Sequence, residues 1–178
     1  MQAKDTRNVT DDLKGLPHDE IVQRLDARGV ALEIAIENTL RDYNMGTIVR
    51  TANAFGVRTV HVIGRRQWNK RGAMATDKYV HVVYHASVVD FASDVADKTV
   101  IAVDNVPGSV PLASAALPEN AVLVFGQEGP GISDKLLECA QQIVAIEQLG
   151  STRSINVGVA AGVVMYEWLR RNTLANDI

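Results

Sequence analysis

One cysteine, Cys139, is all the thiol chemistry in the sequence, so the chain can close no disulfide on itself and build no cysteine-based metal site. A lone thiol fits a reducing compartment, which points to the cytoplasm, and Cys139 itself reads as a small hydrophobe near a helix end. Long apolar runs are missing too. The longest, Val157 to Met165, is broken by glycines and falls well short of the roughly 20 residues that cross a bilayer. The opening segment mixes charges of both signs without an apolar stretch, which argues against a secretory leader. With 178 residues, 47% hydrophobic and 22% charged, the expectation is one ordinary soluble domain.

An excess of positive charge is also lacking: the net charge of −3 argues against nucleic acid as a partner. The distribution argues the other way. Arg58, Arg65, Arg66, Lys70, Arg71 and Lys78 face the single acid Asp77 within one stretch, with Trp68 among them and His61, His81 and His85 within or just beyond it. Such a loop is a candidate for phosphate contact, because RNA affinity grows with local cations that displace counterions. On charge alone a solvated loop is an equal alternative.

Hydrophobic periodicity predicts a short amphipathic helix over His18 to Ala27, closed by Gly29, and then an alternation of strands and helices. Strands are expected at Val30–Ile36, Thr59–Ile63, His81–Tyr84, Thr99–Val103, Ala121–Phe125 and Ile143–Ile146. Helices are expected at Met45–Phe55, Val88–Ala96, Asp134–Ala140 and Ile155–Arg170. Short, continuous Val- and Ile-rich strands between helices define an α/β fold with a parallel sheet covered on both faces. The division expected is a lead-in over 1–29, one domain over 30–173 and a tail over 174–178, with Pro107, Pro111 and Pro118 marking only a surface connection. Ligands of such sheets sit beyond the carboxyl ends of strands, which directs attention to the loops after Val103, Phe125 and Ile146.

Three motifs resist a purely structural reading. In the first, Asn38-x5-Asn44-x-Gly46-x3-Arg50, Asn44 stands where an N-cap belongs, ahead of an apolar stripe of Ile48, Ala52 and Phe55. Arg50 near a helix start is disfavoured by the helix dipole, so an anionic partner would explain it; an exposed surface arginine is the bland alternative. The second motif runs from a buried strand into Gly126-Gln127-Glu128-Gly129-Pro130-Gly131-Ile132-Ser133. It matches neither the dinucleotide fingerprint nor a P-loop, and Ser133 as an N-cap leaves Glu128 unexplained. In the third, Ser151, Thr152, Ser154 and Asn156 precede a helix on which Gly158, Ala161, Gly162 and Met165 share a face. At most one of the four polar residues can be the N-cap, and the small face suits tight internal packing or a dimer contact.

Taken in order, Asn44 to Gly56, Val124 to Ser133 and Ser154 to Glu167 resemble the signatures of the SpoU (TrmH) branch of the SPOUT methyltransferases, covering most of residues 38 to 168. The resemblance implies a C-terminal deep trefoil knot, a homodimer, and S-adenosylmethionine as cofactor. It also implies transfer of a methyl group to a ribose 2′-hydroxyl of RNA, with tRNA favoured over rRNA because the chain is compact. On that pattern Gly126, Ile146, Leu149, Ser154 and Ile155 hold the cofactor, and Arg50, Asn44, Glu128, Ser154 and Asn156 form the catalytic set. Arg50 then orients and stabilises charge, since arginine is a poor base. Arg65, Arg66, Lys70 and Arg71 are the expected RNA contacts. No metal is required, and the sequence reads as offering no metal cluster. The alternative of another class is a knotted RNA-binding or assembly protein without turnover. A nucleotide-linked oxidoreductase fails at the missing glycine fingerprint.

Overall fold

The computed structural model describes residues 5–38 and 44–176, so the middle of the first motif and the outer ends of the lead-in and tail lie outside the described residues. Among the described residues, five α-helices and seven strands follow in chain order: α1 (His18–Ala27), β1 (Glu33–Asn38), α2 (Asn44–Ala54), β2 (Thr59–Gly64), β3 (His81–His85), α3 (Val88–Asp94), β4 (Thr99–Val103), β5 (Val110–Pro111), β6 (Ala121–Phe125), α4 (Asp134–Glu138), β7 (Gln142–Ala145) and α5 (Val157–Asn172). The strands form a single sheet in the order β3-β2-β1-β6-β4-β7-β5, and every pairing is parallel.

The two-residue pleat sorts the strand side chains between two cores. Ile34, Ile36, Val60, Val62, Ile101, Leu123 and Phe125 point to the face covered by α2 and α5, where Met45, Ile48, Val164 and Trp168 close over them. Ala35, Ile63, Val100, Ala102, Val122 and Val124 point to the face covered by α3 and α4, against Phe91 and Leu136. All five residues of β6 are buried, which fits its place at the centre of the sheet. Among the described residues no helix is long and apolar enough to cross a membrane.

Several boundaries differ from expectation for identifiable reasons. β1 starts three residues later and continues through Glu37 and Asn38, polar residues that nevertheless lie buried. Their partners are tertiary: Glu37 Oε2 accepts from the Ser133 N–H at 2.8 Å, and Asn38 Nδ2 donates to the Arg65 and Gln67 carbonyls. β5 lies within the proline-bearing connection and pairs with β7 at the sheet's edge, where proline is tolerated. α4 is a single turn whose leading residue, Ser133, makes no side-chain capping bond. Cys139 closes α4, half-buried, with Sγ donating to the Lys135 carbonyl.

Candidate active site

The carboxyl ends of β4, β6 and β7 are neighbours in the sheet, and the loops leaving them wall a cleft of about 270 Å³. Val103, Val144, Ile146, Ile155, Val157 and Ala160 give it an apolar wall, while Asp104, Asn105, Gln127, Glu128 and Gln148 supply polar groups. The glycine-bearing loop after β6 folds back on itself: Gln127 and Gly131 exchange both backbone hydrogen bonds at 3.1 Å. A Cβ on Gly126 would stand 2.3 Å from the Gly131 carbonyl carbon, and Gly131 itself has φ +73°. These two glycines are therefore required by the loop's own fold before any ligand is considered. Asp104 fixes the same loop from β4, its Oδ2 accepting from the Ile132 N–H at 3.0 Å while Oδ1 accepts from Asn105. Asn105 in turn donates to the Arg153 carbonyl at 3.0 Å and so ties in the loop that precedes α5.

That second loop ends in Asn156, which is the N-cap of α5: its Oδ1 accepts from the Gly158 N–H at 2.9 Å and the Val159 N–H at 3.3 Å. Its amide nitrogen is left to donate to Asn44 Oδ1 at 2.9 Å, and Asn44 Nδ2 donates to Glu128 Oε2 at 2.8 Å. Three residues distant in sequence thus form one hydrogen-bonded chain joining α2, the β6 loop and α5. Asn44 is helical, the first residue of α2 among the described residues, and its side chain is engaged by Asn156 and Glu128.

Of the expected catalytic set, Glu128, Ser154 and Asn156 line the cleft, Asn44 reaches it through the hydrogen-bonded chain, and Arg50 does not line it. Arg50 is the seventh residue of α2, beyond the first turn where the dipole acts, so the electrostatic argument for its misplacement does not hold. It is exposed and makes no side-chain hydrogen bond or ion pair among the described residues. Of the expected cofactor residues, Gly126, Ile146, Ser154 and Ile155 line the cleft, whereas Leu149 points away into solvent with 102% relative exposure. Asp104, Asn105 and Gln127 were not singled out from sequence; their position directly after two strand ends was the available signal.

The small face of α5 packs internally: a Cβ on Gly158 would touch Thr47 and Asn44, and one on Gly162 would meet Thr51. Ala161 and Met165 are buried in the core. The basic loop is narrower than its charge count. Arg58 is buried, paired with Asp26 at 2.8 Å and hydrogen-bonded to the Tyr79 carbonyl. Trp68 is buried as well, and Lys70 pairs with Asp77 at 2.8 Å. Arg65, Arg66 and Arg71 remain exposed, with Arg66 lying over the Tyr84 ring. The loop is seated against α2 by two glycines, since a Cβ on Gly46 would come within 2.9 Å of Gly72 Cα and one on Gly72 within 2.9 Å of Thr47 N. His61 and His85 face inward, not toward the loop, and converge with Asp94 on the α3 side of the sheet. That grouping was not anticipated from the sequence.

Fold and cleft together define an α/β protein with a candidate ligand site at the carboxyl edge of a parallel sheet, walled by the loops that leave β4, β6 and β7. Comparison with known proteins carries this further: residues 31–166 match the SpoU rRNA methylase family, and the chain belongs to that family. It is 26% identical over 156 residues to the tRNA (guanosine(18)-2′-O)-methyltransferase of Escherichia coli K12, covering 85% of this chain and 68% of that protein. It also superposes on the A. aeolicus TrmH/SpoU tRNA modifying enzyme with a TM-score of 0.77 at 24% identity, over 90% of this chain and 87% of the other. The S-adenosylmethionine-bound rRNA methyltransferase of Sinorhizobium meliloti matches with a TM-score of 0.71 at 25% identity, covering 79% of this chain and 56% of that one.

Proposed function

We propose that this chain transfers a methyl group from S-adenosylmethionine to a ribose 2′-hydroxyl of RNA. The observation that carries the reading is the hydrogen-bonded chain Glu128–Asn44–Asn156, which couples the cleft directly to the helix that bears Arg50. Family membership supplies the reaction class.

The cleft fits the cofactor. Its apolar wall suits an adenine ring, its loops present backbone groups, and Gln148 Oε1 is a buried acceptor without a donor among the described residues. Gly126, Ile146, Ser154 and Ile155 would hold the group, and it supplies a methyl on a sulfonium that departs as a neutral thioether. The protein's part is positioning. Asp104 and Asn105 keep the two loops in register, and the Asn44 chain holds Glu128 at the cleft mouth. Arg50, exposed and cationic, is suited to orient an RNA phosphate and stabilise charge on the attacking oxygen. The hydroxyl proton leaves to solvent as the carbon–oxygen bond forms.

Arg65, Arg66 and Arg71 would guide the RNA backbone, with Lys70 contributing if Asp77 releases it. We further infer a homodimer through the exposed apolar stripe Val159, Val163 and Tyr166 on α5, which lies beside α2 and so would bring one protomer's Arg50 toward its partner. The expected C-terminal knot, a catalytic body over 30–173, cytoplasmic residence and a preference for tRNA belong to the same proposal. The E. coli relative named for tRNA supports that preference.

The test is incubation of the full chain with methyl-labelled S-adenosylmethionine and, separately, tRNA and rRNA, followed by nucleoside mass spectrometry. Labelled 2′-O-methylnucleosides are expected. Label on a base, or binding of RNA without cofactor binding or transfer, would replace the proposal with a base-modifying enzyme or an idle RNA-binding protein respectively.

A further inference from the structure

At the edge of the sheet away from the cleft, three strands and a helix bring together groups that methyl transfer does not use. His61 from the middle of β2 and His85 from the end of β3 are 2% and 6% exposed and point to the same face of the sheet. The His61 Nδ1 and His85 Nε2 atoms stand 2.9 Å apart. Asp94, at the last turn of α3, places Oδ2 3.9 Å from the first nitrogen and 3.8 Å from the second. Phe91 of the same helix packs edge-on against both imidazoles and fixes their planes.

The far side of His61 sets its tautomer. Nε2 lies 2.8 Å from Glu33 Oε2, and the other carboxylate oxygen is held by Lys98 at 3.1 Å. A carboxylate held in this way accepts a hydrogen bond, so Nε2 carries the hydrogen and Nδ1 presents a lone pair inward. Carboxylate–imidazole pairs of this kind commonly orient metal-binding histidines. A proton shared between the two imidazoles would account for their 2.9 Å separation, but it gives no reason for a carboxylate nearly equidistant from both nitrogens. A cation does. With metal–nitrogen bonds of about 2.0–2.1 Å, two ligand atoms around one ion stand roughly 2.9–3.4 Å apart. Asp94 is 53% exposed at its side chain, so a small rotation brings its oxygen into range and leaves an open side for water and for metal entry.

We propose that His61, His85 and Asp94 form a divalent metal site of the zinc class, clamping β2 and β3 to α3 independently of the methyl-transfer cleft. Two imidazoles and one carboxylate select a borderline transition ion over calcium or magnesium, which take oxygen ligands. Glu33 is a positioning residue for His61.

Chelator-treated, tag-free full-length protein titrated with zinc sulfate by calorimetry, and with cobalt(II) by visible absorption, tests the site. One equivalent of each metal should bind, cobalt should develop ligand-field bands that zinc abolishes, and zinc should raise the melting temperature. Asp94→Asn, at an exposed position, should weaken zinc at least about tenfold while methyl transfer stays unchanged. His85→Gln should abolish the cobalt spectrum with the circular dichroism preserved, and His18→Gln should alter nothing. Absence of heat and of cobalt bands at about 1 mM metal would overturn the site, as would binding that survives both Asp94→Asn and His85→Gln undiminished.

Discussion

Arg50 shows how a side chain can draw attention in the sequence for a reason the folded helix does not support. Its presence stood out, but the dipole argument placed it too near the helix start. In the folded chain it is exposed and, like Arg65 and Arg71, makes no side-chain hydrogen bond or ion pair among the described residues. Because Arg50 touches no core, Arg50→Ala should leave stability within about 0.5 kcal/mol of the parent. Methyl transfer should fall by about 100-fold or more, with cofactor affinity, read by calorimetry, changed less than twofold. Retention of near-normal turnover would remove Arg50 from the mechanism. Two further residues carry visible strain: Met74 and Ala75 both have left-handed backbone, at φ 48° and 66°. Ala75→Gly should therefore stabilise the protein by about 1 kcal/mol, seen as a higher urea midpoint at unchanged slope.

Secondary-structure elements were legible where side-chain periodicity and core assignment agree. β2, β4 and β6 fall where their Val- and Ile-rich runs predict, because both faces are covered and nothing polar interrupts them. The carboxyl end of β1 was missed because Glu37 and Asn38 look like strand-ending residues, and contacts from Ser133, Arg65 and Gln67, remote in sequence, support their burial. The cleft followed the same division: strand-end loops pointed to it, whereas the linkage of Asn44 to Asn156 depends on a contact across 112 positions. Gly46 and Gly72 are a further pairing that no local pattern announces. Gly72→Val forces a side chain into backbone and should cost about 1–3 kcal/mol. The same change should weaken RNA binding in filter-binding titrations, because it unseats the basic loop from α2; full RNA affinity in a folded variant would refute that linkage.

At the scale of the whole molecule, the last helix is fastened to the connection between β4 and β6. Arg171 donates to the Leu112 and Ala115 carbonyls, and Glu167 holds Arg171 at 2.7 Å while also binding Arg170. The Arg170 hydrogen bond, with that of Arg171, draws the Glu167 carboxyl from its ordinary 4.5 down to about 2 against the opposing cost of burial. A depressed carboxylate pKa adds stability that is complete above the unfolded value and is lost as pH falls toward the folded one. Glu167→Gln should thus cost about 0.5–1 kcal/mol at neutral pH. In urea titrations the gap to the parent should close between about pH 4.5 and 2; a gap independent of pH would assign the loss to packing instead.

The sheet order has a consequence in time. β1 pairs with β2 on one side, but its other neighbour is β6, and β6 also separates β1 from β4. At about 5–20 residues per second, synthesis leaves one edge of β1 uncovered for roughly 4–16 s before its partner is made. A half-made chain therefore carries an open, apolar strand edge, the kind of surface on which nascent chains associate or chaperones dock. The central strand that joins the two halves of the sheet also decides when the edge of β1 becomes safe from its neighbours.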